Sequence, residues 1–319
     1  MNTKYIVIVL AEPYSIFSEV LGKYFSKKFR SKKKIIIIGN IKLFEDQLKA
    51  LRYKIELNEI NNLSDAVLNK INIINIYFEY KKVFGKISSK SNNYIENSFK
   101  KSLQIILQNP KDFILINGPV SKKSFLKKKY LGITEYLSKK TNSKNEVMLI
   151  YNDKISVTPI TTHVPLKKVV KKVTKDKICK KILEINNFYK NRLKRKVKIA
   201  ILGLNPHCET TDKFSEEEKI ILPSIKFLRK NRINIDGPFS ADTFFLKKNI
   251  NKYDVAVGMY HDQVLTPIKT LYNFNAINIT VGLPFVRISP DHGPNSNMLG
   301  KNKSDPSSFY YAMRFAEKN

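Results

Sequence analysis

Tryptophan is absent from these 319 residues, and cysteine occurs only twice, at Cys179 and Cys208. Two cysteines exclude a disulfide framework and fit a reducing compartment. No apolar stretch approaches the roughly 20 residues needed to span a bilayer. The run Tyr5–Ala11 is too short for a signal-peptide core followed by a cleavage site; it reads as a first strand, and a cytoplasmic protein is expected. Neither of the common phosphate-cradling loops is present: nothing resembles Gly-x-Gly-x-x-Gly after a strand, and nothing resembles a Walker loop. Acidic side chains are also scarce. Against 58 Lys+Arg stand 27 Asp+Glu, a formal net charge of +31.

That charge has two readings. One is binding to nucleic acid or an anionic membrane. The other is a Lys-rich proteome combined with a phosphorylated substrate. The basic residues lie in many short clusters: Lys27-Lys28-Phe29-Arg30, Lys32–Lys34, Lys127–Lys129, Lys167-Lys168, Lys171-Lys172 and Arg192–Lys198. No block reads as a tail, and no zinc-finger, RNP-type or basic-zipper pattern accompanies them. The second reading is favoured, with no membrane and no nucleic-acid partner.

What is present is a globular composition, 42% apolar and 27% charged, long enough for one large or two medium domains. Apolar strand-like runs (5–11, 35–39, 113–117, 147–151, 155–162, 197–203, 254–259, 277–281) alternate with amphipathic helical ones. The helical runs are 16–29, 42–51, 93–108, 121–129, 133–141, 166–186, 215–231, 241–249 and 306–317. This is the pattern of an α/β protein with mostly parallel sheets and helices on both faces. The stretch 52–92 looks covered and irregular, 186–196 reads as an exposed basic connection, and Gly237-Pro238 and Gly293-Pro294 read as turns.

Three of the four histidines end apolar runs: Ile155–His163, Lys198–His207 and Tyr253–His261. Parallel sheets collect ligands at the carboxyl ends of their strands. Three imidazoles delivered to that edge make a candidate site for one divalent metal with a position left open. Two carboxylates are candidate neighbours of that metal: Asp262, directly after His261, and Asp242, in Ser240-Ala-Asp-Thr243, which also suits a helix cap without excluding metal contact. A second cluster, Lys269, Asn278 and Arg287, suits a phosphate or carboxylate. Thr134 offers a hydroxyl to a substrate oxygen or caps a helix. Cys208 beside His207 reads as a packed residue and is left out of the metal set.

Taken in order, Asn117-Gly-Pro-Val-Ser-Lys, Gly132-Ile-Thr-Glu-Tyr-Leu, Thr161-Thr-His-Val-Pro-Leu, Gly203-Leu-Asn-Pro-His, Ala241-Asp-Thr, Met259-Tyr-His-Asp-Gln, Gly282-Leu-Pro-Phe-Val-Arg and Ser289-Pro-Asp-His-Gly form a series. It resembles the 4-hydroxythreonine-4-phosphate dehydrogenase family of vitamin B6 synthesis. The resemblance implies a two-domain isocitrate/isopropylmalate-dehydrogenase-like fold. Its nucleotide-side α/β domain would comprise 1–120 plus 265–319, and its metal-binding and dimerisation domain 121–264. It further implies a homodimer, with a cleft between domains to which both subunits contribute. His163, His207 and His261 become metal ligands; Thr134, Lys269, Asn278 and Arg287 bind substrate; His292 and Asn295 lie on the loop facing the nucleotide. The implied reaction is oxidation of the C3 hydroxyl of 4-phosphooxy-L-threonine by NAD or NADP, then decarboxylation to 3-amino-2-oxopropyl phosphate. Lys269 and Asp242 are the candidate proton acceptors. Zn²⁺, Co²⁺ or Ni²⁺ suits the imidazoles, and Mg²⁺ or Mn²⁺ serves if carboxylates join.

The chain departs from the family pattern in three places. Ile133 replaces a histidine that contacts substrate. The Gly-rich loop of the form Gly-Asp/Glu-Pro-Ala-Gly-Ile-Gly-Pro-Glu reads Ala11-Glu-Pro-Tyr-Ser-Ile-Phe-Ser-Glu19. The loop Asp-His-Gly-Thr-Ala becomes Asp291-His-Gly-Pro-Asn295, where Pro294 removes an N–H and fixes φ. These changes leave open a paralogous dehydrogenase of 4-phospho-threonate or -erythronate. A non-catalytic, nucleic-acid-binding relic of the fold is the alternative of a different class.

Overall fold

Isoleucine-rich runs make the strands, because β-branched side chains fit a pleated surface covered on both faces. Lys34–Gly39, which reads Lys-Ile-Ile-Ile-Ile-Gly, is buried from Ile35 onward. The computed structural model describes residues 3–27, 30–126, 130, 132–208, 212–273, 275–290 and 292–319. Lys28, Phe29, the Lys127–Lys129 cluster and Asp291 lie outside them.

In chain order the elements are β1 (Tyr5–Val9), α1 (Phe17–Phe25), β2 (Lys34–Gly39), α2 (Ile41–Ala50), β3 (Leu57–Glu59), β4 (Ile71–Asn75), α3 (Asn92–Ile106), β5 (Phe113–Asn117), α4 (Ile133–Lys140) and β6 (Val147–Tyr151). Next come β7 (Ser156–Thr161), α5 (Val169–Lys172), α6 (Lys175–Asn187), β8 (Ile199–Leu202), α7 (Leu222–Lys230), β9 (Ile235–Phe239), α8 (Ala241–Phe244) and α9 (Lys247–Ile250). The chain closes with β10 (Val255–Tyr260), α10 (His261–Tyr272), β11 (Ile277–Val281), β12 (Val286–Ser289) and α11 (Ser307–Lys318).

The chain divides into two compact units. An outer unit joins the chain up to Asn142 with Leu283–Asn319, and a central unit spans Ser143–Gly282. The boundaries fall later than the expected 120/121 and 264/265. Helix α4 stays with the outer unit because Tyr136 packs on Phe99 of α3, ring centroids 5.8 Å apart. Strand β11 stays with the central unit because it pairs along its length with β6.

In the outer unit the strand order is β3-β4-β2-β1-β5-β12, all parallel. Its core gathers Val7, Ile36, Phe99, Leu115 and Phe285. In the central unit the order is β11-β6-β7-β10-β8-β9. Strand β6 runs antiparallel to β11 and β7, while β7, β10, β8 and β9 are mutually parallel. Val157, Ala200, Ala256 and Val264 form its core.

Several local expectations change. Pro267 hid α10, although Val264, Leu265 and Ile268 carry helical spacing and are buried. Gly237-Pro238 lies inside β9 rather than in a turn. Arg287 sits within β12, not beyond a strand. The covered stretch 52–92 contains β3 and β4. The basic connection 186–196 is partly core: Tyr189 is fully buried, its hydroxyl 3.1 Å from Ser156 Oγ. The helix expected over 121–129 is a π turn at Lys122–Leu126, and 127–129 lie outside the described residues. Among those residues no helix is long and apolar enough to cross a membrane.

Candidate active site

Four adjacent parallel strands of the central unit end in the residues singled out by the sequence. β7 leads to His163, β10 to His261, β8 to His207 and β9 to Asp242. Because neighbouring strands lie about 4.8 Å apart, this order alone brings the four side chains to one edge. The register agrees: Tyr260 stands beside Thr161, and Val257 beside Ile201.

The side chains form two pairs. The rings of His163 and His261 have centroids 6.3 Å apart. Imidazoles on one ion, with metal–nitrogen bonds near 2.0–2.1 Å, have centroids about 5 Å apart, so a shared ion would require this pair to close by about 1 Å. His207 Nδ1 instead lies 3.8 Å from Asp242 Oδ2, and His261 Nδ1 lies 2.6 Å from Asp262 Oδ1. Among the described residues no three His, Cys, Asp or Glu groups converge closely enough to hold a metal as they stand. The expected sharing of one metal by His163, His207 and His261 is thus not already assembled among these side chains. His207 is five residues past its strand, with φ 56° and ψ 16°, and this backbone carries it to Asp242. The donor chemistry nevertheless fits a borderline cation: three imidazoles and a carboxylate on consecutive strand ends.

Asp242 is the weaker of the two candidate bases. The Ser240 hydroxyl, 2.5 Å from its Oδ1, holds the carboxyl below the usual range, with help from His207. It lies in the first turn of α8, where Ser240 is the N-cap. Lys269 is in the last turn of α10, about 12 Å along the axis from His261 at 1.5 Å per residue. Asn278 is on β11, and its Oδ1 is buried with no hydrogen-bond donor among the described residues.

In the outer unit, Arg287 is the organising group. It is 1% exposed. Its Nε donates to Asn117 Oδ1 at 2.7 Å and its Nη1 to Thr134 Oγ1 at 2.9 Å. Thr134 therefore does not cap α4; Gly132 occupies that position. Burial lowers the guanidinium to about 10, and Glu135 opposes that shift. Ile133 packs against the apolar core of this unit, so it supplies no polar contact at the position of the family histidine. His292 lies 5.7 Å from the Phe17 ring, and Asn295 adopts φ 46°, ψ 50° at the start of a 3-10 turn. Ile16 N donates to Pro294 O at 3.1 Å. The two drifted loops, 11–19 and 292–295, are thus in direct contact.

Sequence reasoning passed over Glu12 as a chemical group. It is buried, and that burial lifts its carboxyl from 4.5 to about 7, against hydrogen bonds from Tyr14 N and Ser91 Oγ. A folded-state value above the unfolded one stabilises the protonated native state. The stabilisation is complete below about pH 4.5 and is lost as pH rises through about 7, on the order of 3 kcal/mol in all. Glu12→Gln is therefore expected to match the parent at pH 5 and exceed its stability at pH 8, as read by urea melts. An unchanged pH dependence in the variant would show that Glu12 is not the group responsible.

The family description "Pyridoxal phosphate biosynthetic protein PdxA" matches residues 31–316. The chain is 38% identical over 319 residues, covering 98% of it and 97% of the relative, to the 4-hydroxythreonine-4-phosphate dehydrogenase of Sulfurihydrogenibium sp. (strain YO3AOP1). It is 29% identical to the D-threonate 4-phosphate dehydrogenase of Pectobacterium atrosepticum, covering 98% of both chains. The crystal structure of 4-hydroxythreonine-4-phosphate dehydrogenase from Klebsiella pneumoniae superimposes with a TM-score of 0.83 at 25% identity, covering 98% of this chain and 100% of that one. The chain also shares its fold with a β-decarboxylating dehydrogenase from Thermococcus kodakarensis, with a TM-score of 0.51 at 12% identity, covering 99% of this chain and 84% of that one. With matching motifs, matching fold and a family match over most of its length, this chain belongs to the PdxA family of pyridoxal phosphate biosynthetic proteins.

Proposed function

We propose that this chain oxidises 4-phosphooxy-L-threonine with NAD or NADP and decarboxylates the product to 3-amino-2-oxopropyl phosphate, as a step of pyridoxal phosphate synthesis. It would work as a cytoplasmic homodimer with its active site at the subunit interface. One observation carries the reading: four consecutive parallel strand ends present His163, His261, His207 and Asp242 in a chain 38% identical to a dehydrogenase of that name.

The chemistry is balanced by few groups. Hydride passes from C3 to the nicotinamide, and the hydroxyl proton passes to a base. The new ketone is β to the carboxylate, so carbon dioxide leaves and its bonding electrons form an enolate that is reprotonated. His163, His207 and His261, with Asp242 as a further donor, would hold a divalent cation, which would supply Lewis-acid polarisation of the substrate oxygen. Asp242, held acidic by Ser240, serves better as a ligand than as a base. Lys269 is the other candidate proton acceptor. The resemblance assigns Arg287, Thr134, Lys269 and Asn278 to the anionic substrate, and His292 and Asn295 to the nucleotide. The positive charge of the chain draws in a phosphorylated ligand.

Ile133 favours a second reading. The family histidine is replaced by a side chain packed in an apolar core, and relatives named for D-threonate 4-phosphate share 29% identity. The two substrates differ in carrying an ammonium or a hydroxyl at C2. Steady-state assays on 4-phosphooxy-L-threonine and 4-phospho-D-threonate separate them. Turnover of the first is expected, and activity confined to the second would replace the first reading with the other.

A further inference from the structure

The loop that carries His207 is folded around a buried carboxylate. Glu217 is 0% exposed. Its Oε1 accepts from Leu204 N at 2.7 Å and Asn205 N at 2.9 Å, and its Oε2 accepts from Asn205 Nδ2 at 2.8 Å. The next polar group back, Gly203 O, accepts from Gln263 Nε2 at 2.7 Å, while Gln263 Oε1 accepts from Met259 N at 2.7 Å. Gly203 N is bonded to Phe239 O of β9 at 2.9 Å. Buried backbone groups must find partners, and here two side chains supply most of them. Gln263 ties the end of β10, from which His261 follows, to the end of β8. Glu217 then sets the path from β8 to His207.

Two glycines leave the room this frame occupies. A Cβ at Gly203 would lie 2.7 Å from Cys208 Sγ and 3.0 Å from Glu217 Oε1. One at Gly258 would lie 2.5 Å from Val264 Cγ1 and 2.8 Å from Gln263 Oε1. Neither polar residue is interchangeable with its isostere. A glutamine at 217 turns an NH₂ toward Asn205 Nδ2, donor against donor. A glutamate at 263 sets an oxygen against Gly203 O.

We propose that Glu217 and Gln263 are positioning residues of the histidine cluster, Glu217 shaping the loop that presents His207 and Gln263 locking that loop to the strand that leads to His261. The proposal rests on the reading that these histidines hold a metal. Groups behind metal ligands typically change affinity by 10–100-fold when altered.

The experiment uses full-length protein carrying Glu217→Gln, Gln263→Glu or His207→Ala, and the Glu217→Gln/His207→Ala double variant. Calorimetric titration with Co²⁺, kcat and KM for the phosphorylated substrate, KM for the nucleotide, and Tm are measured on each. Expected are a 10–100-fold weaker Co²⁺ affinity and a comparable fall in kcat in both isosteric variants, with KM for the nucleotide within about twofold. The double variant should be no worse than His207→Ala alone, because Glu217 acts through that residue. Unchanged affinity and kcat alongside a lowered Tm would reduce the pair to a structural role and overturn the proposal, as would additive losses in the double variant. If the parent itself takes up no Co²⁺, the metal reading falls. Positioning is then judged by kcat alone: a tenfold fall in both isosteric variants sustains it, and parental kcat overturns it.

Discussion

Arg287→Met is expected to lower kcat/KM by about 10³ while leaving the protein folded, with a stability change of no more than about 2 kcal/mol. The guanidinium is almost fully buried in β12, yet at about 10 its pKa leaves it charged at neutral pH. Burying a charge is costly, and replacing a buried ion by an apolar side chain of similar length is often neutral or stabilising. Against that gain, Asn117 Oδ1 and Thr134 Oγ1 lose their donors, a cost of about 1–3 kcal/mol for an orphaned buried acceptor. The two effects nearly cancel. Activity has no such compensation: losing a charge-assisted contact to a desolvated anion costs 2–5 kcal/mol or more, which is about 10³ in rate. Arg287→Lys keeps the charge but not the fork that reaches Asn117 and Thr134 together, so it should also be impaired. Steady-state kinetics and thermal melts on the same preparations decide the matter. Parental kcat/KM in Arg287→Met would make Arg287 a structural pin.

The sequence made the strand cores legible because buried parallel strands are nearly continuous apolar runs, and β1, β2, β5 and β8 contain little else. It made the strand-end histidines legible for a related reason: where such a run stops, the carboxyl edge begins. Elements with mixed signals were harder to read. Pro267 is tolerated in α10, and Gly237-Pro238 in β9, because tertiary packing overrides local propensity. Glu217 and Gln263 were not legible as site residues at all. Nothing in their spacing reveals them; they are defined by the backbone groups they reach. For the three histidines, strand order fixes the edge each occupies but not the direction of its side chain.

The departures from the family pattern gain meaning from contact. Ala11, where the family has glycine, keeps φ 59° despite its Cβ, so the loop retains a backbone path suited to glycine. Phe17 stands at another lost glycine. It is buried, packs on Phe309 at 5.6 Å, and lies 5.7 Å from His292 in the second altered loop. With Ile16 N bonded to Pro294 O, the two changes form one compensated rearrangement within the outer unit, while the central unit keeps its strand-end donors.

His207→Gly should separate folding from function most cleanly. The backbone of His207 is left-handed, with φ 56°, a conformation that costs an L-residue about 1–2 kcal/mol and a glycine little. Its side chain is 80% exposed, with Asp242 at 3.8 Å, so removing it leaves no cavity and strands no buried group. Glycine is therefore expected to raise stability by about 1 kcal/mol, or roughly 1–2 °C in Tm for a chain of 319 residues, and alanine to change it little. Activity should move the other way, by about 10³ or more, because on the proposed mechanism His207 would be a ligand of the cation. Thermal melts paired with turnover assays at saturating metal provide the comparison. A His207→Gly enzyme that is stabilised and still turns over at the parental rate, with metal removed, would take His207 and the cation out of the mechanism.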